Sequence, residues 1–336
     1  MRLITCLLLL VAFFSCNDHA KAPDVSGIKI DISTRRFEKE LFALDSNKMT
    51  GQLDRLLEKY PSFGSYFISR ILTADPRWSQ DSVNAYIHSF VSSYRPVYDT
   101  AEKVFADFSP YENEIKNGLQ YVQYYFPKYR APHTIVTYIG PMDGYGDVIT
   151  DDELAVGLHA HLGKNYSAYQ STWVQETYPA YVSNRFEPSY IAINCMKNIL
   201  SDLYPEKKED KTLIVQMVEK GKRLYLLSKF LPNAEEHKLI GYTETQLKDC
   251  YKGESRIWEL FTQNNYLQSL DNDVIKNYVE EGPKTQELGE DAPGNIGSFA
   301  GWQIVKKFMS KNPKTTMPEL LNKDAEAIFQ EAKYKP

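Results

Sequence analysis

Residues 3–14 form an apolar run broken only by Thr5, directly after Met1-Arg2 and directly before Ser15-Cys16. A positive start and an apolar run of this length make an export signal, and the run falls short of the roughly 20 residues a membrane-crossing helix needs. Whatever folds must therefore begin after it. With 43% apolar and 25% charged residues, the chain has the balance of a globular protein, neither disordered nor a disulfide scaffold. Its 39 Lys+Arg against 44 Asp+Glu give a formal charge of −5 with no dominant basic stretch. That excludes a dedicated nucleic-acid binder, because phosphate contacts need clustered cations. A length of 336 residues allows one large domain or two small ones.

The end of the apolar run, a small residue immediately before Cys16, resembles the bacterial lipobox. The resemblance implies cleavage before Cys16 and acylation of its thiol and new amine. Two or more chains anchor a protein durably, whereas one is marginal. An ordinary signal peptide cut nearby is the competing reading. The expected division is a signal peptide over 1–15, a lipidated cysteine and polar tether over 16–27, and one mainly helical domain over 28–336. Cys6 leaves with the signal, so the mature fold keeps Cys195 and Cys250 as free thiols or as a pair that an exported compartment permits. Cys195 falls in a helical pattern, which favours the free thiol.

Residues 28–32 alternate at period two and predict a strand, as do the β-branched run 134–139 and the segment 153–162. Apolar spacing and the prolines at 61, 76, 96, 110 and 127 predict helices over 62–73, 79–93, 100–108 and 111–126. Further helices are expected over 188–203, 213–230, 243–251, 254–264, 273–279, 297–311 and 317–333. The fold class is α+β, mainly helical, with one small sheet.

Chemistry is sparse. The chain has no His-Glu-x-x-His, Gly-x-Ser-x-Gly, phosphate-loop or dinucleotide glycine pattern. His159 and His161, two apart on an expected strand, would share a face and are weak candidates for a metal. They lack an evident third ligand, and satisfied or exposed histidines are the ordinary reading. The acids of 143–147 and 151–153 miss the ligand spacing of a calcium loop and read as a solvated turn. In the segment 293–305, Gly297, Ala300 and Gly301 make a small-residue stripe for close helix contact, with Trp302 anchoring its side. These are structural contacts, so no catalytic residue is expected.

Taken in order, Arg36-Phe37-Glu38-Lys39-Glu40-Leu41-Phe42, Tyr60-Pro61 with Phe63, Gly221-Lys222-Arg223-Leu224-Tyr225-Leu226, Ile240-Gly241-Tyr242-Thr243-Glu244-Thr245-Gln246-Leu247, Ile257-Trp258 and the 293–305 segment resemble the gliding-motility lipoprotein GldB family of Bacteroidota. The resemblance implies an accessory, periplasm-facing lipoprotein of the gliding and associated secretion machinery, and it brings no catalytic residues. The 293–305 pattern is also similar to that of zincin-type predicted peptidases. At the positions matching their metal helix stand Asn194, Cys195 and Asn198, and Lys220 precedes Gly221 where those proteins carry a Glu. Neutral amides are poor zinc ligands, so the resemblance implies a zincin-like domain without its metal.

The expected function is thus a non-enzymatic, membrane-anchored lipoprotein acting through contacts with other gliding and secretion envelope proteins. It would use no cofactor and no small-molecule substrate. The single acid in 17–21 favours the periplasmic face, since surface-export signals of this phylum tend to carry acidic runs there. An envelope peptidase-like hydrolase and a glycan-binding lipoprotein are the alternatives, the latter because 24 tyrosines offer flat faces with a polar edge.

Overall fold

The computed structural model describes residues 22–45, 49–150, 152–206 and 211–336. Cys16 lies outside the described residues. Four short strands, β1 (Ser33–Arg36), β2 (Thr134–Tyr138), β3 (Val148–Ile149) and β4 (Glu153–Gly157), form one sheet in the order β1-β2-β4-β3. β1 and β4 run parallel to β2, and β3 is an antiparallel edge against β4. Ile135, Val136, Tyr138, Leu154, Ala155 and Val156 are all buried, as a largely parallel sheet covered on both faces requires. Helix Phe37–Phe42 packs against β2, and helix Ile191–Leu203 against β3 and β4.

An aromatic knot fixes the first of these layers. Phe37 stands edge-on to Tyr60, Phe63 and Phe67 at 5.0, 5.1 and 4.9 Å between centroids. Tyr138 joins from β2, 5.3 Å from Phe63. Beside it the buried carboxylate of Glu38 accepts from Thr137 Oγ1 and Arg36 Nε, each at 2.6 Å. Burial raises its affinity for a proton despite both donors.

In the C-terminal half, helix Leu213–Phe230 is the centre on which helices Asn272–Val279, Ile296–Lys311 and Ala325–Ala332 pack. Its crossing with Ile296–Lys311 is a backbone contact. A Cβ at Gly221 would lie 2.2 Å from Gly301 O, and one at Gly301 only 1.7 Å from Met217 O. No other residue type fits there. A Cβ at Gly297 would meet Tyr278 O at 2.7 Å, and Trp302 beside these glycines is fully buried. The buried apolar side chains of both halves form one continuous cluster. Among the described residues, no helix is long and apolar enough to cross a membrane.

Several elements differ from the sequence expectation. The first strand lies at Ser33–Arg36 rather than 28–32, its pairing opening where Ser33 N donates to His133 O at 3.2 Å. Ile30 and Ile32 are buried all the same, so the alternation marked burial. Val25, within the expected tether, is buried as well. The strand expected over 153–162 ends at Gly157 and gives way to a 3-10 turn, Leu158–Ala160. A helix expected over 100–108 lies at Arg95–Val104. The last expected helix is two, Met317–Asn322 and Ala325–Ala332, because the Asp324 side chain accepts from Ala327 N at 2.8 Å and caps a new start.

Candidate functional site

The turn after β4 places both candidate histidines in the interior, at 2% and 1% exposure. His159 is a neutral, fully used ring. Its Nδ1 accepts from Gly140 N at 3.0 Å, so its hydrogen is on Nε2, which donates to Tyr145 O at 3.1 Å. Burial pushes its pKa down to about 4, outweighing the attraction of Asp147. His161 faces acceptors on both sides. Nδ1 donates to Glu187 O at 3.2 Å, and Nε2 lies 2.8 and 3.1 Å from the two oxygens of Asp147. One hydrogen therefore sits on Nδ1, and another lies between Nε2 and the carboxylate.

Asp147 is the hub. Its side chain is 3% exposed, and it also accepts from Asn194 Nδ2 at 2.9 Å and from Gly157 N at 3.2 Å. The cluster thus joins the loop before β3, the end of β4, helix Ile191–Leu203 and, through Glu187, the chain leading into that helix. Tyrosines hold the same loop from outside. Tyr138 Oη donates to Tyr145 O and Gly146 O at 2.9 and 2.6 Å, and Tyr178 Oη to Gly144 O at 2.5 Å. Tyr169 Oη donates to His159 O at 2.7 Å and accepts from Leu162 N at 3.0 Å.

The chemistry open to this arrangement is narrow. Each ring nitrogen already serves a bond inside the protein, so a metal or substrate would first have to break one. Among the described residues, no three His, Cys, Asp or Glu side chains are grouped to hold a metal ion. Cys195 neighbours the cluster, but burial raises its pKa far above the usual thiol range and keeps it protonated. Cys195 and Cys250 are both free and buried. Of the positions matching the zincin pattern, Asn194 is consumed by Asp147 and Lys220 Nζ donates to Glu206 at 2.9 Å.

Sequence reasoning found the two histidines but placed Asp147 in a solvated turn. The structure corrects this: Asp147 and Glu153 are buried, whereas Asp143 and Asp152 are exposed. The partners of Asp147 come from three separate segments, so no local spacing announces them. Lys222 was also missed. It is 1% exposed and donates to Glu219 at 3.0 Å and to the carbonyls of Leu321 and Lys323 at 3.3 and 2.6 Å, closing the end of helix Met317–Asn322. Burial lowers its pKa, opposed chiefly by Glu219.

Together these features define a mainly helical α+β protein in which His159 and His161, with Asp147, form an internal fastening. The sequence model of the family described as gliding motility protein GldB matches residues 18–336, and the chain belongs to that family. No curated protein and no solved structure matches it.

Proposed function

We propose that this member of the GldB family is held on a membrane by an acylated Cys16, faces the periplasm, and serves gliding motility and the associated secretion through contacts with other envelope proteins. It does so without catalysis, cofactor or small-molecule substrate. Family membership over residues 18–336 supports the setting. The observation that carries the non-catalytic reading is the Asp147–His161 contact at 2.8 Å with both partners buried. A general base must offer a lone pair to substrate, and here the available lone pairs are spent on holding three segments together. The antiparallel edge strand β3 beside helix Ile191–Leu203, with Asn194 at the matching metal position, supports a zincin-like scaffold turned to a structural use.

Photo-crosslinking in cells from exposed positions such as Trp78 and Trp173, with identification of the attached proteins, tests this reading. Envelope proteins of the motility or secretion machinery are expected. Absence of protein adducts, together with hydrolysis of envelope peptides by the purified protein, would overturn it.

A further inference from the structure

The two sequence segments most characteristic of this chain, 240–247 and 293–305, meet at a cavity of about 190 Å³. Its walls are fixed by backbone contacts. A Cβ at Gly294 would lie 2.2 Å from Gly282 O, and Gly241, at φ +85°, leaves room for the Arg185 side chain. The buried Tyr242 Oη donates to Gly294 O and Asn295 O at 3.0 and 3.2 Å, so the turn before helix Ile296–Lys311 is pinned to the 240–247 segment.

The lining is built for a ligand that is flat, polar and uncharged. Tyr181 and Tyr190 supply aromatic faces, and Ile240 is the single aliphatic branched side chain. Arg185 and Glu281 form a two-pronged pair at 2.8 and 2.5 Å, so neither leaves a net charge for an ion, yet the pair's free edges still donate and accept. One buried polar atom of the lining has no partner within the described residues: Asn295 Oδ1 is an acceptor without a donor. An unpaired group of this kind is costly unless something completes it.

An apolar peptide side chain would need an aliphatic lining. A pyranose ring instead offers a C–H face to the tyrosines and hydroxyl or acetamido groups to the planar amide, guanidinium and carboxylate edges. We propose that this cavity binds one uncharged sugar ring of a glycan, with Tyr181 and Tyr190 as the platform, Asn295 Oδ1 accepting from a ligand N–H or O–H, and Asn184 at the exposed rim. The proposal goes beyond the anchoring role and does not depend on it.

The test titrates the full-length protein in detergent with the tetramers of N-acetylglucosamine and of mannose, read by ligand-observed NMR and calorimetry. Saturable binding of at least one, with a dissociation constant at or below about 1 mM, is expected. Tyr181→Ala, which removes a platform ring, and Asn295→Gly, which keeps the left-handed backbone at φ 57°, are each expected to weaken it at least about tenfold with the melting curve unchanged. Asn184→Ala, at the surface, gives a second reading free of any folding effect. Failure of both tetramers to saturate, or affinity unchanged in all three variants, overturns the proposal. So does a peptide, selected from a displayed library, that occupies the cavity while neither tetramer binds.

Discussion

Gly301 and Met217 lie so close that a Cβ on the glycine would stand 1.7 Å from the Met217 carbonyl oxygen. The contact places the backbones of helices Leu213–Phe230 and Ile296–Lys311 against each other with no side chain between. Gly301→Ala must push the helices apart and open the core around Trp302. We expect a loss of about 3 kcal/mol in urea unfolding, the upper end of the usual cost of overpacking, because backbone on both sides of the contact cannot yield. Gly27→Ala, where a Cβ meets nothing within 4 Å, is expected to stay within about 0.5 kcal/mol of the parent. Equal effects at the two sites would contradict the packing account.

Asp147 accepts from His161, Asn194 and Gly157 N in the interior. Asp147→Ala strands those donors, one of them on a ring that loses its counter-group. A cost of about 3–5 kcal/mol is expected, the usual result of removing one side of a buried pair. A loss below about 1 kcal/mol would show that the cluster is not the fastening described.

His159 makes stability depend on pH. Its folded pKa is near 4 and its ordinary value 6.5. Between the two, the unfolded chain takes up a proton that the folded chain refuses, so stability falls as pH drops from 6.5 towards 4. The full shift corresponds to about 3 kcal/mol. His159→Asn, which retains an acceptor for Gly140 N, removes this contribution and should flatten the profile of unfolding free energy over that window. An unchanged slope would contradict the assignment of His159 as a buried neutral ring.

Lys222 closes the end of helix Met317–Asn322 through two carbonyls. Lys222→Met keeps most of the volume and removes the donors. We expect a loss of about 1–3 kcal/mol and faster amide exchange in residues 317–332 than elsewhere. Uniform exchange across the molecule would argue that the bond does not lock this segment.

How much of this was legible in the sequence follows the range of the interactions. Helices with a continuous apolar stripe, such as Leu213–Phe230, read directly, and so did the small-residue face of Gly297 and Gly301, because both signals are local. The position of β1 did not, because it depends on a partner strand, Thr134–Tyr138, a hundred residues away. The split at Asp324 lay in a capping residue inside an otherwise uninterrupted apolar pattern. The histidine pair drew notice, but its meaning came from Asp147, Asn194 and Glu187, which the chain brings together only on folding. A burial signal such as the alternation of 28–32 says that residues go inside, and pairing partners decide whether they become a strand.

The central claim, that the protein serves gliding motility from a lipid anchor on Cys16, is tested most directly by replacing the chromosomal copy with Cys16→Ala. Membrane fractionation, metabolic palmitate labelling and colony spreading are then read in the same strain, beside a deletion strain. The account predicts that the variant loses the label, leaves the membrane fraction and spreads no better than the deletion. A variant that remains membrane-bound with unchanged labelling and spreads like the parent would contradict it.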